Sequence, residues 1–119
     1  YVYFIYGVHW CLNFTCADAS AVLMRALEPS QGVQVMAERR GTDKPRALCS
    51  GPGKLAQALA IGPAYNGLSL LAPPFELRAA PPGIAVAAGV RIGISKAVDH
   101  PWRFGMKGSK FLSRPFSSQ

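Results

Sequence analysis

The chain opens with YVYFIYGVHWCLN, residues 1–13, in which two runs rich in aromatic and β-branched residues flank a glycine. Such runs favour β-strands, and the side chains along a strand alternate between the two faces of a sheet. If residues 7–9 form a three-residue hairpin loop, Tyr6 lies beside its tip and Tyr3 lies directly across the ladder from Asn13. On spacing alone, the simpler interpretation is an aromatic-rich core hairpin in which backbone groups satisfy Asn13, and not a binding pocket.

The remaining pattern predicts one domain that mixes strands and helices. A three-stranded meander is predicted at residues 1–6, 10–15 and 21–27, and one or two further strands at residues 84–94. Two helices are predicted: residues 31–40, with Ser30 as N-cap and a stop at Gly41, and residues 52–61, with a core face of Leu55, Ala58 and Leu59 and a C-cap at Gly62. The pattern contains no internal repeat and no second domain.

Charge is the strongest signal in the composition. Thirteen Lys and Arg residues against six Asp and Glu residues give a formal net charge of +7. Beyond Asp99 the charged residues are all basic and alternate with aromatic residues: Arg103, Lys107, Lys110 and Arg114 with Trp102, Phe104 and Phe111. Such interleaving is typical of nucleic-acid binding, although net charge can also serve solubility alone. We therefore expect a polyanionic partner.

The composition also excludes several classes of protein. No apolar run approaches the roughly 20 residues that a membrane-spanning helix needs, and we expect no secretory leader. Cys11, Cys16 and Cys49 are odd in number and lack the spacing of a zinc site, so we expect buried reduced thiols and no metal. These features predict a cytoplasmic or nuclear protein that is neither secreted nor bound to a membrane.

Residues 50–54, SGPGK, place small residues and a lysine at the start of the second predicted helix. Unpaired N–H groups at a helix N-terminus attract anions, and Gly53 and Lys54 would let a phosphate approach them. The turn is not a nucleotide-binding P-loop, because Leu48 replaces the first glycine and Leu55 follows the lysine in place of Ser or Thr. Judged locally, a simple capping turn is the more frequent explanation of these residues, and a phosphate contact stays open beside it.

Five blocks of sequence carry a more specific signal. In order they are YVYFIYGVHWCLN from residue 1, VLMRALEP at 22–29, LCSGPGKLAQALAI at 48–61, VRIGISKAVDHPWRF at 90–104 and SKFLSR at 109–114. Together they resemble the alkyladenine (3-methyladenine or methylpurine) DNA glycosylase family, and the Pro-rich stretch around 72–83 lies outside the match. The resemblance implies a single α+β domain with a curved, open-barrel-like antiparallel sheet and helices packed outside it.

The same resemblance implies that the N-terminal part of the fold lies upstream of Tyr1. Members of the family carry there a catalytic glutamate, a tyrosine and a histidine that line the base pocket. Residues 1–119 would then be a partial, C-terminal portion of the domain. None of the six acidic residues stands in the aromatic hairpin, so we expect no catalytic residue within this chain, and His9 and His100 are weak candidates for a base.

By resemblance, three residues of the hairpin and the next strand bind the substrate base. Tyr3 would stack on the flipped base, and an alkylated, cationic purine would gain from the face of its ring. Asn13 would clash with the exocyclic amino group of normal guanine and so reject it. Leu23 and Arg25 share a strand face, and either can neighbour Asn13 across a second hairpin. Leu23 would then line the pocket.

A second group of residues is expected to contact DNA. Tyr6 would act as a wedge that fills the gap left by the flipped base. The DNA-binding residues that the resemblance implies are Tyr6, Gly7, Val8, His9, Arg25, Gly53 and Lys54. For Arg25 an alternative stays open, since an arginine at a strand end is often solvated or ion-paired, here with Glu28.

The implied function is a DNA glycosylase that flips and excises alkylated or deaminated purines by hydrolysis of the N-glycosidic bond in base excision repair. Water would be the nucleophile of this monofunctional hydrolase. No cofactor is implied, and a monomer would bind double-stranded DNA that carries a damaged purine. Two alternatives stay open: a non-catalytic DNA-binding remnant of such an enzyme, or a small nucleic-acid-binding module that uses the aromatic hairpin as a stacking platform.

Overall fold

A computed structural model describes residues 1–5 and 9–116, with the backbone alone at residues 3–5 and 9. Within these residues the chain forms three strands, three helices and then two further strands. The elements are β1 (Val2–Ile5), β2 (His9–Thr15), β3 (Ala21–Leu23), α1 (Val33–Arg40), α2 (Pro45–Leu48), α3 (Pro52–Ala58), a short 3-10 helix (Pro63–Tyr65), β4 (Val86–Gly89) and β5 (Arg103–Met106). This succession confirms the predicted α+β class.

Strands β1, β2 and β3 form the predicted antiparallel meander, in that order. The register differs by two residues from the prediction, because Tyr3 pairs with Cys11 and not with Asn13. Asn13 instead exchanges hydrogen bonds with the main chain of Tyr1, at 2.8 and 2.9 Å. The aromatic pattern could not fix this register, because a shift of two residues keeps every residue on the same face of the sheet.

Strand β3 is shorter than predicted and ends at Leu23. The N–H of Met24 still donates to the carbonyl of Leu12 on β2, at 3.0 Å. Beyond it the chain pairs elsewhere: Ala26 forms an isolated bridge with Ser50, and the N–H of Leu27 donates to the carbonyl of Cys49 at 3.1 Å. The second part of the predicted strand therefore ties the sheet to the segment between α2 and α3.

The helices pack against the sheet and form the hydrophobic core with it. The buried members of this core are Val2, Leu12, Met36, Leu48, Cys49, Leu55, Ala56, Ala58 and Ile61. Val2 and Leu12 are direct partners on β1 and β2, so they contribute from the same face of the sheet. Leu55 and Ala58 have no exposed surface, which confirms the core face predicted for the second helix.

Two arginines at the end of α1 fasten the helices to one another. Nη1 of Arg39 donates to the carbonyl oxygen of Ala58 at 2.9 Å. Arg40 donates to two carbonyls at the end of α2 and to the side-chain oxygen of Gln57. The last carbonyls of a helix have no partner within it, so these contacts satisfy α2 and α3 where each ends. Both arginines thus serve the fold.

Helix α1 ends as predicted but begins differently. Gly41 has a left-handed φ of 70°, and its N–H donates to the carbonyl of Ala37 at 2.8 Å. At the other end the N-cap is Gly32, with a φ of 69° and no side-chain cap, so the predicted cap at Ser30 is wrong. A glycine adopts this conformation without the strain that a Cβ would add, and the helix starts after it.

Helix α3 begins at Pro52 as predicted and ends earlier than expected. Its C-cap is Leu59, so the predicted cap at Gly62 is wrong. Ala60 takes a left-handed φ of 54°, and the N–H of Ile61 then donates to the carbonyl of Ala56 at 2.8 Å. This reversal turns Ile61 back into the core, and its burial offsets the cost of the unusual φ.

Strands β4 and β5 pair as a separate antiparallel sheet. Strand β4 lies within the predicted 84–94 region, whereas β5 was not predicted. The ring of Phe116 packs on this sheet at two glycines, since a Cβ on Gly105 would stand 2.9 Å from it and one on Gly89 would stand 3.0 Å from it. Four side chains of the sheet are exposed: Val86, Ala88, Phe104 and Met106.

Three other expectations about the fold have different outcomes. The described strands divide into sheets of three and two strands, and a curved, open-barrel-like sheet stays a prediction. Cys11 and Cys49 are buried as predicted, whereas Cys16 is exposed. In the described part of the chain, no helix has the length and apolarity that crossing a bilayer requires.

Candidate functional site

The meander brings together Asn13 and Leu23, which were both expected to line one pocket. They are direct partners on β2 and β3, as the second hairpin predicted. Asn13 is 8% exposed and is the buried polar residue of the described core. Its Nδ2 donates to the carbonyl of Cys11 at 3.4 Å, which is long for a hydrogen bond. A side-chain amide has two donors and an acceptor, so this one keeps capacity to bind a ligand.

A cavity of about 250 Å³ lies beside Asn13. It is lined by Tyr1, by residues 12–15 of β2 and by residues of the 65–75 segment. Leu23, which was predicted to line the same pocket as Asn13, is not among the residues that line this cavity. Tyr65 and Phe75 meet there edge to face, with ring centroids 6.2 Å apart. Pockets for drug-sized ligands have volumes of roughly 300–1,000 Å³. This cavity therefore suits a smaller ligand, bounded by aromatic rings and one buried amide.

Tyr3 belongs to the same ladder through β1. Its backbone pairs with Cys11, two residues from Asn13 along β2. Diagonal positions on adjacent strands are roughly 7–8 Å apart, a distance that long side chains can bridge. Contact of Tyr3 and Asn13 with one ligand stays a prediction, and the positions of the two residues in the ladder are compatible with it.

The predicted wedge falls on residues that the structure does not describe. Tyr6, Gly7 and Val8 lie outside the described residues, so their expected contacts with DNA stay predictions. His9 was placed in the loop, and this is wrong: it is the first residue of β2 and pairs with Ile5. The loop prediction assumed that the turn spans residues 7–9, whereas the ladder already closes at His9.

Arg25 follows β3 and is half-buried. Burial first, and then the charge of Arg114, lower the pKa of Arg25, whereas Cys11 acts in the opposite direction. Glu28 is exposed and forms no ion pair with it among the described residues, so the alternative of an Arg25–Glu28 pair is wrong. The Nε of Arg25 is buried without a hydrogen-bond partner. A contact of Arg25 with DNA stays a prediction.

The turn at residues 50–54 starts α3 as expected. Gly51 precedes the helix with a φ of 132°, which only glycine adopts readily, and its carbonyl accepts from the N–H of Leu55 at 2.8 Å. Gly53 is half-buried and Lys54 is exposed. The geometry fits a capping turn and leaves the ammonium accessible to solvent. A phosphate contact at Gly53 and Lys54 stays a prediction.

Acidic residues are absent from the described surroundings of Asn13. All six of them are exposed: Asp18, Glu28, Glu38, Asp43, Glu76 and Asp99. None of the six lines the cavity. Within residues 1–5 and 9–116, no group of three His, Cys, Asp or Glu side chains could hold a metal ion. The site can bind and orient a ligand, and hydrolysis there would need a carboxylate from elsewhere.

Sequence reasoning missed Tyr65 and Phe75 as residues that line the cavity. Both are single aromatics in a Pro- and Gly-rich segment, where no periodicity marks a buried face. A long-range contact positions them: the side-chain oxygen of Asn66 accepts from the N–H of Val2 at 3.1 Å and ties the segment to β1. The sequence signal that could have identified these two residues is an aromatic residue that stands alone in a loop.

The sequence matches known proteins along most of its length. The model of the methylpurine-DNA glycosylase family matches residues 1–110. A protein of Agrobacterium fabrum is 59% identical over 116 residues, and one of Rhodopseudomonas palustris is 59% identical over 119 residues. A third, of Bradyrhizobium diazoefficiens, is 56% identical over 119 residues. Each bears the name "Putative 3-methyladenine DNA glycosylase". The matches cover 98% of this chain and 58–60% of the relatives.

Proposed function

Because this chain belongs to the methylpurine-DNA glycosylase family, we propose that it forms the base-recognition part of a DNA glycosylase that excises alkylated or deaminated purines in base excision repair. The observation that carries the proposal is the buried amide of Asn13 beside a cavity, with Leu23 as its partner across β2 and β3, in a sequence that the family model matches over residues 1–110. The names of the relatives, which refer to 3-methyladenine DNA glycosylases, support the same chemistry.

Recognition requires that the damaged base leave the stack. Flipping costs a few kcal/mol, and less for a damaged or mispaired base, which already favours lesions over normal pairs. The flipped purine would lie against Asn13 and Leu23, with Tyr3 stacked on its ring. The amide of Asn13 would clash with the exocyclic amino group of guanine, whereas hypoxanthine has no such group. Selectivity would thus combine easy flipping with steric rejection.

Double-stranded DNA would be held around this pocket by the wedge and by cations. The proposed contacts are Tyr6, Gly7, Val8 and His9 at the hairpin, and Arg25, Gly53 and Lys54 at backbone phosphates. Phosphate contacts fix the register of a protein on the duplex, while the pocket reads the base. The protein would act as a monomer, without a cofactor, in the compartment that holds DNA: the bacterial cytoplasm or a nucleus.

Hydrolysis of the N-glycosidic bond passes through an oxocarbenium-like state, which a carboxylate stabilises while it activates water. The six acidic residues of this chain are exposed, and none of them lines the cavity beside Asn13. By resemblance to the family, the catalytic carboxylate would not be one of these six residues. The same exposed positions also favour the second candidate, a DNA-binding module that recognises the base without excising it.

The role of Asn13 can be tested with two duplexes that differ by one amino group. Hypoxanthine and guanine opposite thymine form similar wobble pairs. A difference in affinity between the two duplexes, measured by fluorescence anisotropy, therefore reports on contacts of the base with the pocket and not on the stability of the base pair. The Asn13→Ala variant should lose about tenfold of the preference for hypoxanthine over guanine, the range expected for one recognition contact. An unchanged preference would show that Asn13 does not contact the flipped base.

Gln34→Ala provides a matched control for the loss of a side-chain amide. Gln34 is exposed on α1 and does not line the cavity beside Asn13. This variant should leave both the thermal stability and the hypoxanthine preference unchanged. Equal loss of preference in both variants would mean that the loss does not depend on the position of Asn13 and would contradict the proposal.

A further inference from the structure

The sequence of strand β4 and its flanks contains no polar side chain. Residues 84–90 are IAVAAGV. A strand with one face in water normally alternates apolar and polar residues, whereas a strand that is covered on both faces has a nearly continuous apolar sequence. The sequence therefore indicates that β4 is covered on both of its faces.

The structure covers only one face of the β4–β5 sheet, where Phe116 packs. The opposite face is formed by two pairs of direct partners, Val86 with Met106 and Ala88 with Phe104. All four side chains are exposed, and Val86 and Phe104 keep 63% and 66% of their surface in contact with solvent. We call these four residues the open face of the sheet.

The apolar surface continues beyond the two strands. Val90 directly follows β4 and Trp102 directly precedes β5, and both are more than half exposed. Ile84, two residues before β4, is exposed as well. Contiguous exposed apolar surface of this kind marks a site of interaction with another polypeptide or ligand. A two-stranded sheet is also marginally stable unless something packs against it.

The chain as a whole exposes more surface than a folded protein of its mass. Its accessible surface is 8625 Å², whereas a folded monomer of 12.7 kDa exposes about 6,200 Å². The six residues outside the described ranges contribute at most about 900 Å² to this difference, at the unfolded-chain value of about 155 Å² per residue. About 1,500 Å² of extra surface remains, and one partner in a standard interface buries about 800 Å². The extra surface is therefore large enough for a stable interface.

The lengths of the relatives indicate what covers this surface. The matches include 98% of this chain and only 58–60% of the relatives, so each relative has a further portion with no counterpart here. A second copy of this chain is a poorer occupant, because each copy carries a formal net charge of +7 and like charges oppose association.

We propose that the open face of the β4–β5 sheet is an interface for a polypeptide that corresponds to the part of the relatives outside the match. This polypeptide buries the open face, so that both faces of β4 are covered as its sequence indicates. The inference rests on membership of the family and not on the proposed glycosylase activity, since DNA takes no part in the contact.

Co-expression tests the interface. The 119-residue chain, with an affinity tag, is produced together with the part of the Agrobacterium fabrum protein outside its 116-residue match. A one-to-one complex should purify through the tag and have a higher Tm than the chain alone, because a partner that binds only the folded state stabilises it. Hydroxyl-radical footprinting should show that Met106 is oxidised more slowly in the complex. Absence of a complex, or equal oxidation of Met106 with and without the partner, would overturn the proposal.

Phe104→Asp tests the position of the interface. Because Phe104 is exposed, this variant should keep the circular dichroism spectrum and the Tm of the chain alone. It should weaken the complex by about tenfold or more, since it places an unpaired charge in an apolar interface. Val35→Asp is the matched control, because Val35 is exposed on α1 and receives the same charge. Dissociation on dilution, followed by native mass spectrometry, measures both variants. A wild-type affinity for Phe104→Asp, or equal losses in the two variants, would contradict the interface.

Light scattering on the chain alone separates this occupant from a second copy. The chain should be a monomer in solution. A dimer that Phe104→Asp dissociates would assign the open face to a second copy and overturn the proposal. Because these measurements involve no DNA, failure of the proposed function would leave their results unchanged.

Discussion

The first 61 residues and the rest of the chain are stabilised in different ways. All buried hydrophobic residues of the described chain lie between Val2 and Ile61, where helices cover one face of the meander. From residue 62 to residue 116 no described residue is buried, and large hydrophobic side chains face solvent. Leu71 is 89% exposed and Phe104 is 66% exposed. The apolar area removed from water is therefore concentrated in the first region.

The second region is held by local contacts instead of a core. Phe116 packs on the glycines of β4 and β5, and Arg91 lies over the ring of Trp102, which also stacks on His100 at 4.1 Å. Contacts of this kind contribute roughly 0.5–1.5 kcal/mol each, less than a buried leucine. The cavity takes Asn13 and its neighbours on β2 from the well-packed region, and Tyr65 and Phe75 from the weaker one. A ligand in this cavity would thus contact both the well-packed region and the weakly packed region.

The same substitution in the two regions should have very different effects. Leu55 has no exposed surface, so Leu55→Ala should lower the free energy of unfolding by about 2–5 kcal/mol, through lost burial and a cavity. Leu71→Ala, at an exposed position, should change it by less than about 0.5 kcal/mol. Urea unfolding of both variants measures the difference. Comparable losses would mean that the second region has a core of its own.

The packing of Phe116 can be broken at one glycine. A Cβ on Gly105 would stand 2.8 Å from Cδ2 of Leu112 and 2.9 Å from the ring of Phe116, so Gly105→Ala should cost about 1–3 kcal/mol. Gly62→Ala is the control, because its Cβ would meet no atom within 4 Å and its φ of −144° suits any residue. If the two variants unfold at the same temperature, the C-terminal segment does not pack on β5 as described.

Hydrogen exchange compares the regions without a mutation. Amides of β2 are covered by packed helices, whereas β4 and β5 form a two-stranded sheet with exposed side chains. Local opening of β4 and β5 should therefore be easier than that of β2, by at least about 1.4 kcal/mol or tenfold in protection. Mass spectrometry of exchanged peptides measures this. Equal protection of β2 and of β4 and β5 would contradict the claim that the second region is less stable than the first.

The smallest effect concerns the turn between β2 and β3. The carboxylate of Asp18 accepts from the hydroxyl and the backbone N–H of Ser20, and these bonds lower its pKa below 3.8. A lowered pKa in the folded state means that the stabilisation is present above pH 3.8 and disappears as pH falls through the folded value. Wild type should therefore have a higher Tm than Asp18→Asn above pH 3.8, and this difference should disappear as the pH falls. Ser20→Ala, which removes the hydroxyl that donates to this carboxylate, should weaken the same trend.

Local pattern predicted the parts of the fold that depend on local chemistry. The aromatic runs predicted the meander, Gly41 predicted the end of α1, and Leu55 predicted the buried face of α3. The register of the hairpin could not be obtained in this way, because pairing of Tyr3 with Cys11 or with Asn13 fits the same alternation. The cap at Gly62 failed because burial of Ile61 favoured an earlier reversal at a non-glycine residue.

The candidate site was predictable only where it follows from strand pairing. Asn13 and Leu23 are partners across one hairpin, so sequence order suffices to bring them together. Tyr65 and Phe75 approach this region through long-range folding of a Pro- and Gly-rich segment, which no local periodicity encodes. The resemblance to a family supplied roles for residues that match its motifs and none for these two.

The most direct test measures binding and single-turnover excision together, with this 119-residue chain and duplex DNA that carries one hypoxanthine. The account predicts tighter binding to this duplex than to undamaged DNA, without release of the base, because recognition lies in these residues and the catalytic carboxylate does not. Release of hypoxanthine by the chain alone would contradict it and would place a catalytic acid among residues 1–119.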